Sequence, residues 1–188
     1  MKTDYASYLR DRGRVSLLMR RIFLLPIKRY FHGKVLDIGA GIGEFLDCYP
    51  DAIGIDREYA TASYCHGGRV RCIQADAHLL PFLNDSFDGV LLNNVLEHLE
   101  RPEDALSEIR KVLKKGGRLM IELPGKKGFH HDKTHVRFWG QNDIVDLLKS
   151  QGFTDIKAHY FPVPCKKAGD ILTHNKLRIY AVLGKEEQ

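Results

Sequence analysis

Long apolar segments are missing from this sequence. No stretch approaches the roughly 20 residues that a helix needs to cross a bilayer. The opening residues, MKTDYASYLRDRGR, carry acidic side chains and lack the apolar core of a secretory signal. We therefore expect neither a transmembrane segment nor a cleaved secretory signal.

Cysteine is also sparse, with four residues in a chain of 188. The four are scattered, with no CxxC pair and no histidine–cysteine spacing typical of a zinc site, at Cys48, Cys65, Cys72 and Cys165. This usage is typical of a reducing compartment, so we expect free thiols and a cytoplasmic protein. Repeats, low-complexity segments and linkers are absent too, which favours one compact domain.

A basic balance is the first positive feature. Lysine and arginine total 29 against 24 acidic residues, which gives a net charge of +5. Such a surface attracts nucleic acid, an anionic lipid surface or a phosphorylated small molecule, although a merely basic surface fits equally well. Residues Tyr5 to Tyr30 read as helical, interrupted at Gly13 and ended or kinked at Pro26. We interpret residues 1–33 as a helical lid and residues 34–188 as the main domain.

Short apolar runs alternate with helical patterns through the main domain. The predicted strands start at Val35 and then cover Ala52–Asp56, Val70–Gln74, Phe87–Asn93, Arg118–Leu123, Phe153–Phe161 and Lys176–Leu183. This alternation predicts a doubly wound α/β fold with a mostly parallel seven-stranded sheet, an antiparallel last strand and helices on both faces.

Several connections carry their own signals. A helix is predicted from Arg57 to Tyr64, and another from Pro102 to a stop at Gly116-Gly117. The segment from Pro124 to Gly140 reads as an irregular, basic loop, and Asn142-Asp143 as the cap of a helix that runs through Leu148.

The first strand ends in a glycine turn, Asp37-Ile38-Gly39-Ala40-Gly41, followed by a helical pattern. Such a turn lets the backbone approach a ligand closely. Asp37 ends the first strand, Asp56 ends the second and Asp76 follows the third. A carboxylate inside the turn repels a pyrophosphate, whereas the other two suit ribose hydroxyls and an exocyclic amine. The pattern therefore predicts a site for an adenosine that carries positive charge, rather than for a nicotinamide dinucleotide.

These motifs resemble the class I S-adenosylmethionine-dependent methyltransferases of the UbiE-like, small-molecule group. The family's first motif is matched by VLDIGAGIGEFL, its ribose loop by GIDREYA, and its adenine segment and fourth strand by QADAHLLPFLNDSFDGVLLNNVLEHL. LKKGGRLMIELP is similar to the fifth-strand motif, and HVRFWGQNDIVDLLKSQGF fits the later pattern. The resemblance covers almost everything from Lys34 to Leu123 and implies a Rossmann-like fold, S-adenosylmethionine as cofactor and S-adenosylhomocysteine as product.

The resemblance also implies roles for individual residues. Gly39, Ala40 and Gly41 would line the methionine and ribose part of the cofactor, and Asp37 would face its ammonium group. Asp56 would hold the ribose hydroxyls. The adenine contacts would come from Arg57, Asp76 and Ala77, and a backbone carbonyl toward the cofactor's amino group from Asn93. For Asp76 a helix N-cap is the competing interpretation.

The acceptor side is less defined. His98, in a Glu97-His98 pair after the fourth strand, and His135 are candidates for a general base or for positioning the acceptor. The pair His131 and His135 stands four residues apart, but the glycines near it argue against a long helix, and we expect no metal.

Several basic side chains could surround an anionic acceptor, namely Lys126, Lys127, Lys133 and Arg137. The function predicted is methyl transfer to a small-molecule or lipid-like acceptor. The alternatives are a macromolecular acceptor, RNA or protein, and a catalytically idle partner subunit that keeps the cofactor fold. Nucleic acid is not favoured, and the oligomeric state stays open.

Overall fold

A seven-stranded sheet forms the centre of the computed structural model, which describes residues 14–58 and 71–184. The strands are β1 (Val35–Ile38), β2 (Ala52–Asp56), β3 (Cys72–Gln74), β4 (Phe87–Asn93), β5 (Leu113–Pro124), β6 (Phe153–Phe161) and β7 (Lys176–Leu183). The helices are α1 (Arg14–Tyr30), α2 (Glu44–Cys48), α3 (Pro102–Val112), α4 (Lys126–His131), α5 (Gln141–Ser150) and α6 (Lys166–Ile171), with a 3₁₀ turn at Leu96–His98. None of the helices described combines the length and apolar character needed to cross a membrane.

The strand order is β3-β2-β1-β4-β5-β7-β6. The first five strands run parallel, whereas β7 is antiparallel to both β5 and β6. The predicted doubly wound α/β fold is thereby confirmed, including its antiparallel last strand. The direction of strand order reverses between β1 and β4, and ligands of such sheets bind beside that point, outside the carboxyl ends of the strands. We call this side of the sheet the carboxyl edge.

Successive residues of β1 point to opposite faces, as a pleated strand requires. Val35 joins a buried cluster with Ile27 of α1 and Phe45 of α2. Leu36 joins a second cluster with Leu106 of α3 and other buried side chains from α5. Helices therefore cover both faces of the sheet, as predicted, and the near-continuous apolar strands are explained by burial on both sides.

Pro26 does not end the first helix, which continues to Tyr30. Ile27 and Phe31 follow the proline and are both buried in the core. Burial of two large apolar side chains offsets the hydrogen bond that a proline removes from a helix. Of the two predicted alternatives at Pro26, an end of the helix is therefore wrong, whereas the predicted helical bound at Tyr30 is confirmed. The predicted helical segment before Gly13, like most of the predicted helix Arg57–Tyr64, lies outside the described residues.

Helix α3 ends at Val112, four residues before the predicted stop at Gly116-Gly117, and that prediction is wrong. Leu113 already has extended backbone angles, is fully buried and pairs with Phe87 of β4. Core burial of Leu113 outweighs the helical preference of the lysines that follow it. Gly116 adopts a φ of 75° inside β5 and is not a helix cap.

The segment from Pro124 to Gly140 is not wholly irregular, because it contains helix α4. The predicted cap at Asn142-Asp143 also needs correction. Gly140 is the N-cap of α5, and its backbone N–H donates to the Asp143 carboxylate at 3.1 Å. Helix α5 runs two residues past Leu148, and Gly152 follows with a φ of 80°, as expected for a glycine after a helix.

Candidate functional site

The glycine turn lies at the carboxyl end of β1. Gly39 and Gly41 have positive φ values of 70° and 57°, which L-residues rarely adopt. The backbone N–H groups of Gly39 and Ala40 both donate to the Ile55 carbonyl, at 2.8 and 2.9 Å. A Cβ on Gly39 would lie 2.5 Å from Cγ2 of Val95. The turn is thus fixed to β2, and the segment after β4 closes directly against it.

Asp37 lies beneath this turn and is 3% exposed. Burial, together with the neighbouring Asp56 carboxylate, raises the pKa of its carboxyl to about 8. A buried carboxyl of this kind is stabilised in its charged form by a cation placed beside it. The turn is therefore suited to a positively charged ligand.

Asp56 connects the end of β2 to the turn. Its Oδ2 accepts a hydrogen bond from Gly41 N at 3.0 Å, and its Oδ1 accepts one from Glu58 N at 2.9 Å. Burial raises the pKa of Asp56, although the two backbone donors oppose this effect. Each carboxylate oxygen has a second lone pair, so Asp56 keeps acceptor capacity for two hydroxyl groups.

Asp76 follows β3 and caps a turn. Its Oδ1 accepts bonds from His78 N and from His78 Nδ1, at 2.8 and 2.6 Å. The His78 backbone bond is the main cause of the lowered pKa of Asp76. The described residues that follow form no helix up to the start of β4, so the competing interpretation of a helix N-cap is wrong. Ala77 is buried in the same turn.

Arg57 and Asn93 flank the site on two sides. The Arg57 guanidinium lies near enough to contribute to the lowered pKa values of both Asp76 and His98. Asn93, the last residue of β4, accepts a hydrogen bond at Oδ1 from Asn94 Nδ2 at 2.7 Å. Asn94 has a φ of 54° and donates its backbone N–H to the Glu122 carbonyl. The chain leaves β4 at Asn94, and the next residue, Val95, packs against the glycine turn.

The 3₁₀ turn after β4 brings Glu97 and His98 together with His135, although the two histidines are 37 positions apart in the sequence. The two imidazole rings have centroids 4.7 Å apart. Glu97 is 1% exposed, burial raises its pKa to about 8, and its Oε1 lies 3.8 Å from His135 Nε2. Burial and the neighbouring His135 lower the pKa of His98. The structure thus assembles both predicted acceptor-side histidines at one place.

Thr134 and Asp132 orient His98, a role that the sequence did not reveal. Nδ1 of His98 lies 3.3 Å from the Thr134 carbonyl and 3.2 Å from its hydroxyl. The Thr134 hydroxyl donates to Asp132 Oδ1 at 2.7 Å. A carbonyl can only accept, so His98 carries its proton on Nδ1 and its lone pair on Nε2. The motif THVRFW pointed to this segment, but not to the threonine.

A buried ion network was also missed. Glu122 of β5 bonds to Lys176 Nζ at 2.8 Å and to Arg178 Nε at 2.6 Å. Burial alone would raise the pKa of Glu122, but the two cations outweigh burial and lower it. Arg178 also donates to the Phe23 carbonyl of α1. The sequence offered one signal for this network: Glu122 and Arg178 are opposite charges within two otherwise apolar predicted strands.

Comparisons with known proteins agree with this geometry. A methyltransferase domain family matches residues 36–121. An uncharacterised protein of Methanocaldococcus jannaschii is 31% identical over 144 residues, 70% of each chain. A ubiquinone/menaquinone biosynthesis C-methyltransferase of Stutzerimonas stutzeri is 30% identical over 125 residues, which cover 58% of this chain and 48% of that protein.

The fold recurs in a solved structure as well. A methyltransferase from Archaeoglobus fulgidus that depends on S-adenosylmethionine superposes with a TM-score of 0.79, covering 95% of this chain and 100% of that one at 23% identity. The matched motifs, the sheet order and the relatives all lead to the same assignment. The chain belongs to the class I S-adenosylmethionine-dependent methyltransferase family, in its UbiE-like group, and S-adenosylmethionine is the cofactor of this family.

Proposed function

We propose that the chain transfers the methyl group of S-adenosylmethionine to a small-molecule or lipid-like acceptor. The observation that carries the proposal is the placement of His98 and His135 beside the glycine turn. Val95 touches the Cβ position of Gly39, and the 3₁₀ turn that holds His98 starts with the next residue. Cofactor turn and histidine pair are therefore adjacent at the carboxyl edge.

On the cofactor side, the geometry supports the assigned roles. Buried Asp37 would face the cationic methionine end, and Asp56 would accept bonds from the ribose hydroxyls. Gly39, Ala40 and Gly41 would make the backbone contacts of the turn, and Arg57, Asp76 and Ala77 would contact the adenine. Asn93 would offer its backbone carbonyl to the cofactor's amino group. The positive φ of the glycines and the closeness of Val95 make the turn fit a ligand that lies directly on the backbone.

The cofactor supplies an already activated methyl group, so the chain mainly aligns the acceptor, excludes water and, for some acceptors, removes a proton. The tautomer fixed by Thr134 leaves Nε2 of His98 as the atom able to accept a proton. His135 is held by a bond between its Nδ1 and the Phe129 carbonyl at 2.8 Å. Both rings are thus oriented before an acceptor arrives.

Apolar side chains lead from the surface toward His135. The Phe129 ring stacks on the His135 ring at 5.2 Å and meets Phe138 edge-on at 5.5 Å. Val136 and Phe138 are 54% and 41% exposed. An apolar or lipid-like acceptor fits this strip, and the Stutzerimonas relative is named as an enzyme of quinone biosynthesis. Arg137 stacks on Trp139 at 4.0 Å and lies 3.7 Å from the Glu103 carboxylate, so its charge already has a partner, which weakens the case for an anionic acceptor.

We also propose that the start of α1 acts as the lid. Phe23 meets Phe161 edge-on at 5.6 Å, and Phe161 ends β6 at the carboxyl edge. Tyr30 donates to the Ala181 carbonyl further along the sheet, toward the opposite edge. The helix therefore runs antiparallel to the parallel strands, and the nine helical residues before Phe23 span about 13 Å toward and past the carboxyl edge at 1.5 Å per residue.

The test is a screen of cell extract with methyl-labelled cofactor, in which the labelled product is identified by mass spectrometry. Labelled small or lipid-like product is expected, whereas label found only in RNA or protein would refute the proposal. His135→Ala should then lower turnover and leave cofactor affinity unchanged, with exposed His131→Ala as the matched control. An equal loss of affinity and turnover in His135→Ala would indicate a structural role instead.

A further inference from the structure

Three neighbouring side chains at the carboxyl edge are of the kinds that bind metal ions. Glu97, His98 and His135 each offer one ligand atom, and these atoms all lie within 4.8 Å of one another. The set combines two imidazole nitrogens with one carboxylate. It differs from the pair considered in the sequence, since His131 is an exposed residue at the end of α4.

The buried carboxylate of Glu97 makes this set more than a chance grouping. Glu97 is 1% exposed, and neither of its carboxylate oxygens has a hydrogen-bond partner among the residues described. His135 Nε2, at 3.8 Å from Oε1, lies beyond hydrogen-bond range. The charged form of a buried carboxyl is unfavourable without a donor or a cation, and a cation bound beside Glu97 would remove that cost.

The distances fit a bound ion. Carboxylate oxygens and imidazole nitrogens bind zinc-sized ions at about 2.0–2.2 Å, which places two ligands of a tetrahedral site about 3.4 Å apart. The observed 3.8 Å between Glu97 Oε1 and His135 Nε2 therefore needs a contraction of a few tenths of an ångström, and the set as a whole, whose ligand atoms lie within 4.8 Å of one another, needs a contraction of at most about 1.4 Å.

Both histidines are oriented as metal ligands usually are. His135 donates Nδ1–H to the Phe129 carbonyl, and His98 donates Nδ1–H to the Thr134 carbonyl. Each ring therefore keeps its lone pair on Nε2. Backbone carbonyls that fix the second nitrogen are a recurrent feature around metal-binding histidines, because they set the tautomer and the direction of the ring.

We propose that Glu97, His98 and His135 form a binding site for a divalent transition-metal ion. Two nitrogen ligands favour ions such as Zn²⁺ or Ni²⁺ over Mg²⁺ and Ca²⁺, which prefer oxygen. Three protein ligands leave at least one coordination position open. On the proposed function, that position would bind an acceptor oxygen and lower its pKa by Lewis-acid polarisation. The histidines would then act on the acceptor through the ion.

The experiment titrates the chelator-treated full chain with Zn²⁺, Ni²⁺ and Mg²⁺ by calorimetry, with no acceptor present. One Zn²⁺ or Ni²⁺ should bind per chain and Mg²⁺ much more weakly. Glu97→Gln and His135→Asn should each weaken binding at least about 10-fold, whereas the matched control His131→Asn should not. A Co²⁺ absorption spectrum that changes in His98→Asn gives a readout that a structural role would not move.

Absence of stoichiometric binding, or equal affinity in Glu97→Gln, His135→Asn and the wild type, would overturn the site. Circular dichroism and cofactor affinity of each variant confirm that it is folded. The readout is independent of methyl transfer, so failure of the acceptor screen would refute the proposed function and leave this result standing. Full turnover in the presence of a chelator would refute the ion's role toward the acceptor.

Discussion

Cofactor binding should release a proton from Asp37. In the free protein, burial and the charge of Asp56 raise the pKa of this carboxyl to about 8. It is therefore about nine-tenths protonated at pH 7 in the absence of ligand. An opposite charge within about 4–6 Å lowers an aspartic pKa by about 1–3, so the methionine ammonium should drive Asp37 into its charged form.

The size of the effect follows from these values. A fall of about 2 in pKa leaves Asp37 roughly one-tenth protonated at pH 7, so about 0.8 proton leaves per bound cofactor. Because the bound state holds fewer protons, affinity should rise as pH increases and level off above about pH 8. Each pH unit below that level should weaken binding by up to about 10-fold, until the pKa of the bound state is reached.

Isothermal titration calorimetry in two buffers of different ionisation enthalpy measures the released protons directly. Asp37→Asn should bind with almost no proton release and with a flat pH profile between pH 6 and 8. Proton release that persists in Asp37→Asn, or that is absent from the wild type, would show that Asp37 does not face the ammonium. Asp47→Asn, on the helix that follows the turn, is the matched control.

Two further outcomes follow from the described contacts. Asp56→Ala should weaken S-adenosylmethionine binding by about 1–3 kcal/mol, because charge-assisted hydrogen bonds to the ribose are lost; Glu58→Ala should not, and unchanged calorimetric affinity in Asp56→Ala would remove the ribose assignment. Arg178→Met should lower the free energy of unfolding by about 3–5 kcal/mol, since it leaves Glu122 buried with less compensating charge. In a chain of this length that corresponds to a fall of roughly 6–20 °C in Tm, measured by scanning calorimetry; a change below about 2 °C would contradict the buried network.

Local patterns in the sequence predicted the sheet and the carboxylates at its edge. The parallel strands were recognised as short apolar runs, and Asp37 and Asp56 stand at or near the carboxyl ends of β1 and β2. In a parallel sheet these ends meet at one edge, so the position of both residues follows from the order of the strands. The wrong boundaries lie where tertiary packing overrides local preference. Leu113 leaves a helix-favouring run because its burial and its pairing with Phe87 stabilise a strand. Pro26 stays inside a helix because the next turn packs on the core.

The acceptor side was harder to predict because its contacts join distant parts of the chain. Thr134 reaches His98 across 36 positions, and Glu122 meets Arg178 across 56. Contacts between residues so far apart in the sequence produce no periodic pattern from which they could be predicted. The sequence did single out His98 and His135 one at a time, and the fold brings them to 4.7 Å. Their common environment depends on the path of residues 132–137, which no local rule describes.

The antiparallel course of β7 has a consequence for how this enzyme family can change its acceptor. Because β7 runs against its neighbours, the connection from β6 to β7 returns to the carboxyl edge at Lys176, which pairs with both Pro124 and Phe161. The segments after β4, β5 and β6 therefore all border the side proposed for the acceptor, whereas most residues assigned to the cofactor lie at or after the ends of β1, β2 and β3. On the proposed function, the sheet would separate the two tasks, so substitutions in the later connections would alter substrate choice while the methyl donor is retained.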